Sequence, residues 1–370
     1  MTSTSSEPKT GRPKYAQFAG RLRRQIETGE LKPGDRLPSF AQMLARHGLG
    51  QGTVERMYGL LEQEGLVVRE PNRGTYVAEP KQRATTGAIG LLVETGWLSQ
   101  HPYHVQLLAA IQDAAHQRFV ETIFLHGKSQ IGLDKVDGLL MMHVRPNRVV
   151  AQLPADMPAV SLMFQSGSAA SVIADDSAGI RAAMEHLLGL GHTRIAYLTG
   201  AVQEWTDVVS LRRLDAYRGA LASAGITPDK RWLRPVIDPI DEPAHYAKLG
   251  YAKMARWIRR DWRELRCTAL MAHNDDVAMG AVEALQDAGI RVPEEVSVIG
   301  FDNTEVAEAF RPRLTSVEVP LRQIGIKGVE TLLDQIASIG LVSGVERKAA
   351  STIVLPTELI VRESTAAAIA

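Results

Sequence analysis

The chain reads as an α/β protein, with an N-terminal winged helix-turn-helix followed by a larger domain of doubly wound parallel sheets, two of them. Three observations predict this. Residues 12–78 carry three helical periods and then two short β-prone runs around a turn. Beyond residue 86, short and nearly continuous apolar runs alternate with helical stretches, as parallel strands buried on both faces do. The formal charge of zero also conceals a split: residues 12–83 hold 13 Lys/Arg against 8 Asp/Glu, and residues 84–370 hold 28 against 33. A basic head suits a polyanion, because each neutralised phosphate releases counterions, although a solvated basic face without a partner looks the same.

Residues 1–11, rich in Ser, Thr, Pro and Gly, have no apolar period and predict a disordered tail. Tyr15, Phe18, Ala19, Leu22 and Ile26 then recur at helical spacing until Gly29 stops the helix. LKPGDRLPS is a turn-rich link, and Ser39 is placed to cap a second helix, FAQMLARH, that ends at Gly48. After a turn at Leu49 and Gly50, a third helix over about residues 51–64 buries Val54, Met57, Tyr58 and Leu61. It leaves Gln51, Gly52, Thr53, Glu55 and Arg56 exposed toward its N-terminus, where a recognition helix meets base edges. LVVRE and TYVAE form a hairpin wing with Arg73 at its tip.

GELKPGDRLPS, the paired helices, LLEQEGLVVRE and NRGTYV, in that order, resemble the GntR family of transcription regulators over about 65 residues. The resemblance implies a DNA-binding domain over 12–78, with Lys14, Ser39, Gln51, Gly52, Thr53, Arg56, Arg69, Arg73 and Gly74 as its candidate contacts. Lys14, Arg56, Arg69 and Arg73 suit phosphates, which position a domain without carrying sequence information. The family's second helix commonly starts Ser-Glu-Arg-Glu and its third Ser-Arg-Thr-Thr-Val-Arg. Here Ala41, Gln51 and Glu55 stand where arginines would, and Gln51 favours adenine over guanine on geometry.

Residues 79–86, nearly devoid of apolar side chains, predict a linker. The runs AIGLLV, TIFLH, VDGLLMM, AVSLM, SVIA, RIAYLTG, TALMAH and VSVIGF are the predicted strands. In open α/β sheets a ligand lies beyond the carboxyl ends of the strands, here Glu94 to Trp97, Asp175 and Asp176, Thr199, Asn274 and Asp275, and Asp302. Such oxygen-rich ends could line one polar cleft, as a polyhydroxyl ligand requires. Any single one could instead be a helix N-cap, with Asp176 or Asp275 open to that role.

DDSAGIRAAMEHLLGLGHTRIAYLTG, RRLDAYRGALASAGI, TALMAHNDDVAMGAVEALQDAGIRVPEEVSVIGFDN and LTSVEVP resemble the effector-binding domain of the LacI family, itself similar to periplasmic sugar-binding proteins. The resemblance implies two α/β lobes over 87–370, joined by three crossovers near Ala174, Pro320 and residues 340–350. Lobe one then takes about 87–174 and 319–345, and lobe two about 175–318 and 350–362. It further implies Arg213, Asn274 and Asp302 as ligand contacts, and with Glu94, Trp97 and Asp175 these form the candidate effector set. The family's helix after Phe119 has no room in ETIFLHGKSQIGLDK.

Other classes are poorly served. Cys267 is the one cysteine, the N-terminus lacks the apolar core of a signal peptide, and no apolar run approaches the roughly 18 residues of a membrane span, so a cytoplasmic protein is expected. His101 and His104 lack a clustered third ligand, and there is no P-loop or GxSxG, so no catalytic, metal or cofactor site is expected. A transport binding protein would explain residues 87–362 but not the basic winged head. A DNA-binding protein whose second domain is blind to ligand stays open as a rival. The resemblances imply duplex operator DNA and a small polar effector, a sugar before nucleosides or amino acids, as partners of a homodimer away from the membrane.

Overall fold

The computed structural model describes residues 13–71, 73–78, 85–93, 103–126, 132–142, 144, 146–154, 156–200, 207–236, 246–339 and 350–369. The chain divides into two compact units, a head within residues 1–84 and a body from residue 85 onward.

The head has three helices, α1 (Lys14–Glu27), α2 (Phe40–His47) and α3 (Gln51–Gln63), and the antiparallel hairpin β1 (Val67–Glu70) and β2 (Gly74–Val77). Each element follows its local chemistry. Ser39 starts α2 with a reciprocal box: its hydroxyl accepts from the Gln42 N–H, and the Gln42 side chain accepts from the Ser39 N–H at 2.8 Å. Gly48 ends α2 at φ +62, a left-handed conformation that glycine adopts without steric cost. Leu22, Met43, Leu49, Val54, Met57, Leu61, Val67 and Val77 close one core, and the Tyr58 hydroxyl donates to the Pro38 carbonyl at 2.6 Å. The four α3 positions expected inside are all buried.

The body contains two six-stranded sheets. The first comprises β3 (Ala88–Val93), β4 (Glu121–His126), β5 (Gly138–Met142), β6 (Ala159–Leu162), β7 (Ala170–Ala174) and, from far along the chain, β13 (Thr352–Leu355), all parallel in the order β13-β7-β6-β5-β3-β4. Two of its covering helices are α4 (Tyr103–His116) and, much later, α12 (Leu321–Ile339). Glycines allow the close approach of α12: a Cβ on Gly325 would lie 3.0 Å from Ala110, and one on Gly328 2.6 Å from Leu162. Between β4 and β5 the described residues hold a single turn of 3-10 helix, Leu133–Lys135.

The second sheet has the order β14-β12-β11-β10-β8-β9, built from β8 (Ile195–Thr199), β9 (Leu233–Pro235), β10 (Ala269–Ala272), β11 (Ser297–Asp302), β12 (Thr315–Glu318) and an antiparallel edge, β14 (Glu358–Ile360). Helices α6 (Asp176–Gly189), α7 (Asp207–Ser223), α8 (Tyr246–Arg260) and α10 (Asp275–Asp287) accompany it, the short α5 (Pro146–Val150), α9 (Trp262–Leu265) and α11 (Glu305–Ala309) lying before, between and after them in sequence. In both sheets the chain reverses its direction of growth beside the first strand, between β3 and β5 and between β8 and β10, which is where ligands lie in open α/β sheets.

The chain passes between sheets after Ala174 and again at Pro320, but the third passage differs from expectation. β13 pairs with β7, Leu355 opposite Ala174, so residues 352–355 belong to the first lobe's sheet. The crossover therefore falls between Leu355 and Glu358, not at 340–350, and the second lobe receives β14 alone from this segment. An apolar pattern cannot assign so short an edge strand, because its partner is chosen by a distant sheet edge.

Candidate functional site

The head's candidates divide by how their side chains are used. Gln51, Gly52 and Arg56 are exposed on the first turns of α3, Thr53 is half-buried, and Lys14 is exposed at the start of α1. The N-cap of α3 is Gly50, which offers no side chain to the helix, so its first N–H groups are not capped from within. A Cβ on Gly52 would meet nothing within 4 Å, so no packing demand explains a glycine there. Ser39 spends its hydroxyl on the capping box.

The wing arginines have partners in the described structure. Arg69 Nη2 donates to the Glu55 carbonyl at 2.9 Å and its Nε lies 3.3 Å from Glu62, tying β1 to α3. That buttress positions the wing and occupies part of the fork expected to meet phosphate. Arg73 pairs with Glu70 at 2.8 Å at the exposed hairpin tip. Gly74 adopts φ +130, and a Cβ there would stand 3.0 Å from the Arg36 guanidinium. Arg36, which also bridges Tyr76 through its backbone, was not singled out by sequence because nothing local marks it.

In the body, Arg213 on α7 is buried and fully oriented. Its Nε and Nη2 donate to Asp176 Oδ1 at 2.8 and 2.6 Å, its Nη1 donates to the His273 carbonyl at 2.9 Å, and its guanidinium stacks 3.6 Å from the centre of the Phe301 ring. Burial opposes its charge, but Asp176 outweighs this with help from Tyr197 and Asp302, so its pKa rises above the usual arginine value. Three of the five N–H groups are committed, and one on each terminal nitrogen has no acceptor among the described residues. Arg212 shares Asp176 more loosely at 3.5 Å, and its buried Nε has no hydrogen-bond partner among the described residues.

The aspartate pair at the first crossover is used in the reverse of the expected sense. Asp175 is the N-cap of α6, accepting from the Ala178 N–H at 2.9 Å, while Asp176, open to the capping role by sequence, holds Arg213. Asn274 caps α10 through Oδ1, accepting from Val277 N–H at 2.9 Å, which leaves its Nδ2 as the donating group. Asp275, buried next to it, ties three segments together: it accepts from the Ser316 hydroxyl and from the Thr304 N–H and hydroxyl. Burial nevertheless pushes its pKa up to about 6, against those hydrogen bonds.

Asp302, at the end of β11, is half-buried with φ +110 and is followed by Asn303 at φ +52. A non-glycine residue held there carries backbone strain of about 1–3 kcal/mol, of the kind that functional sites retain. Neighbouring groups hold the turn: Arg362 Nη2 donates to Asn303 Oδ1 at 2.7 Å, and Asn303 N–H donates to the Ser316 hydroxyl at 3.0 Å. The Asp302 carboxyl accepts no hydrogen bond among the described residues. Burial first, and Asp275 next, raise its pKa well above the carboxylate range, with Arg213 opposing. Tyr246, buried at the start of α8, is pushed up to about 12 by burial and by the charges of Asp302 and Asp276.

Arg213, Asp176, Asn274 and Asp302 thus converge at the carboxyl ends of β10 and β11, beside Gly200, where a Cβ would stand 2.6 Å from His273. Glu94 and Trp97 lie outside the described residues. Sequence reasoning placed Asp176 at the cleft without its role as the partner of Arg213, and missed Phe301 and Tyr246 as members of this cluster. The doubled aspartate was the available signal for Asp176, while nothing local marks the other two.

Residues 14–77 match the bacterial regulatory proteins of the gntR family, and residues 184–365 match the periplasmic binding protein-like domain. The chain joins a gntR-family head to a periplasmic-binding-protein-like body. It is 32% identical over 207 residues to the HTH-type transcriptional repressor PurR of Vibrio vulnificus, an alignment covering 55% of this chain and 58% of that relative. It is 25% identical over 391 residues to the arabinose metabolism transcriptional repressor of Geobacillus stearothermophilus, covering 95% of this chain and 98% of that one. A solved complex of the transcriptional regulator CelR with cellobiose shares the fold, with a TM-score of 0.64, 23% identity, and coverage of 95% of this chain and 100% of that one. Among the described residues, no helix of this gntR-headed chain is long and apolar enough to cross a membrane.

Proposed function

We propose that the chain is a ligand-responsive transcriptional repressor: the gntR-type head binds duplex operator DNA, and the body takes a small polyhydroxyl molecule that changes the head's affinity. The observation that carries this reading is the oriented Arg213, with two N–H groups to spare, beside the strained Asp302 carboxyl. A fixed donor fork and an acceptor without a protein partner suit a ligand whose hydroxyls both accept and donate, and desolvated polar groups of this kind reject ligands lacking the match. A sugar is the effector class we favour, in keeping with the arabinose repressor's name and the cellobiose held by CelR.

Closure of the body on the sugar would move the heads of a C2 homodimer relative to each other, on half-sites about 10 base pairs apart or a multiple of that. Lys14, Gln51, Thr53 and Arg56 would contact DNA, with Arg73 joining them by exchanging Glu70 for phosphate. The protein would act in the cytoplasm, without catalysing a reaction. The test is a thermal-shift screen of the full chain against sugars, followed by operator retention with and without each hit. A ligand at 100 times its Kd should stabilise the body by about 2.7 kcal/mol. Coupling of ordinary size should change retention about 5- to 150-fold. A hit that leaves retention unaltered, or that binds Asp302→Ala as tightly as wild type, would refute the proposal.

A further inference from the structure

Four carboxylates stand on α3, its C-cap and the wing, and three of them have an arginine partner. Glu62 has Arg69, Glu64 has Arg23 in a bidentate pair, and Glu70 has Arg73. Glu55 has no ion pair among the described residues. Arg69, the nearest candidate, donates instead to the Glu55 main-chain carbonyl at 2.9 Å, and the side chain is exposed one turn into the recognition helix. Among the described residues its carboxylate accepts one hydrogen bond, from Gln51, whose Nε2 donates to Oε1 at 3.5 Å from the preceding turn. Gly52, between them in sequence, adds no side chain that could screen the pair.

A bare carboxylate on a surface that meets a polyanion is a liability, since it repels phosphate and must lose water when the groove is filled. It is tolerable where a base supplies a donor. The major groove offers two exocyclic amino groups, on cytosine N4 and adenine N6. Adenine places the N7 lone pair beside its amino group, which repels a carboxylate. Cytosine places only a C–H there. From this chemistry we infer that Glu55 is a specificity-determining residue of the head that selects cytosine at one position of each half-site, with Gln51 positioning its carboxylate. This rests on the DNA-binding reading above and deepens it.

The experiment is selection of the full-length protein on a randomised duplex library, repeated with Glu55→Gln, an isosteric change at an exposed site that leaves the fold intact. Wild type should enrich a motif with one cytosine per half-site whose replacement weakens binding about tenfold. Glu55→Gln should flatten that position to within about twofold or shift it to adenine, while retention of unselected duplex rises because a repulsive charge is gone. A motif without such a cytosine, or a cytosine preference that persists in Glu55→Gln, overturns the inference and leaves the DNA-binding reading standing. Failure to enrich any sequence overturns both.

Discussion

The head keeps its ion pairs at the surface, as in Arg73 with Glu70, where the arginine side chain is 75% exposed. The body buries Arg213 and Asp176 to 8% and 6% and joins them to the His273 carbonyl and the Phe301 ring. Exposed pairs are worth about 0–1 kcal/mol, so the head's arginines can exchange a carboxylate for a phosphate at little cost. A buried pair cannot be separated so cheaply, because removing one partner strands the other charge away from water. The head is thus arranged to re-pair outward, and the body to hold a fixed constellation against which a ligand is measured.

The largest test of that contrast is Asp176→Ala, which should destabilise the body by about 3–5 kcal/mol by leaving Arg213 buried and unpaired. All five tryptophans, at 97, 205, 232, 257 and 262, lie in the body's sequence, so denaturant titration followed by tryptophan fluorescence reports on it without the head. A loss below about 1 kcal/mol would mean that the pair behaves like a surface one. Next in size is a pH effect. Asp275 titrates near 6 in the folded body instead of 3.8, so between those values the folded state holds a proton that the unfolded chain has released. Its contribution to stability is therefore intact below about pH 4 and declines as pH rises to about 6, by up to about 3 kcal/mol, with Asp302 adding in the same sense. Asp275→Asn should flatten the slope. A wild-type body equally stable at pH 4 and 6 would contradict the assignment.

Smaller effects are expected in the head. Gly52→Ala fills open space on a helix and should stabilise the head by about 0.5–1 kcal/mol, measured by circular dichroism, yet weaken operator binding if α3 lies close against DNA. Gains in both would place this turn away from the groove. Smallest in stability is Arg73→Ala, which should change unfolding by less than about 0.5 kcal/mol while lowering operator affinity and reducing the salt slope by about one. An unaltered salt slope would remove Arg73 from the contact surface.

The head was legible almost element by element, because its signals are local: the Ser39 cap, the Gly48 stop, and the four apolar positions of α3. So were eight strands of the body, each an apolar run: seven of them are buried, and the eighth, β4, lies at a sheet edge with Phe124 exposed. The short edge strands β9, β13 and β14 escaped because they are three or four residues long and half-exposed, so that even the Ile353–Leu355 run of β13 is too short to stand out. The third crossover was misplaced for the same reason.

The amino-acid sequence by itself determined the two-part organisation, the recognition helix with its outward polar face, and the strand ends where Asn274 and Asp302 would be sought, while Arg213 was implied by the family resemblance. Periodicity, caps and turn residues act over a few positions and need no knowledge of the rest of the chain. Tertiary structure alone decided which aspartate, Asp175 or Asp176, caps a helix and which holds Arg213. It also decided that Phe301 lies under the guanidinium, that β13 returns to the first sheet, and that Glu55 keeps a carboxylate no arginine claims among the described residues. These are choices among partners of nearly equal local chemistry. They are settled by which groups packing brings within about 3 Å of one another, and neighbours in sequence do not encode that distance.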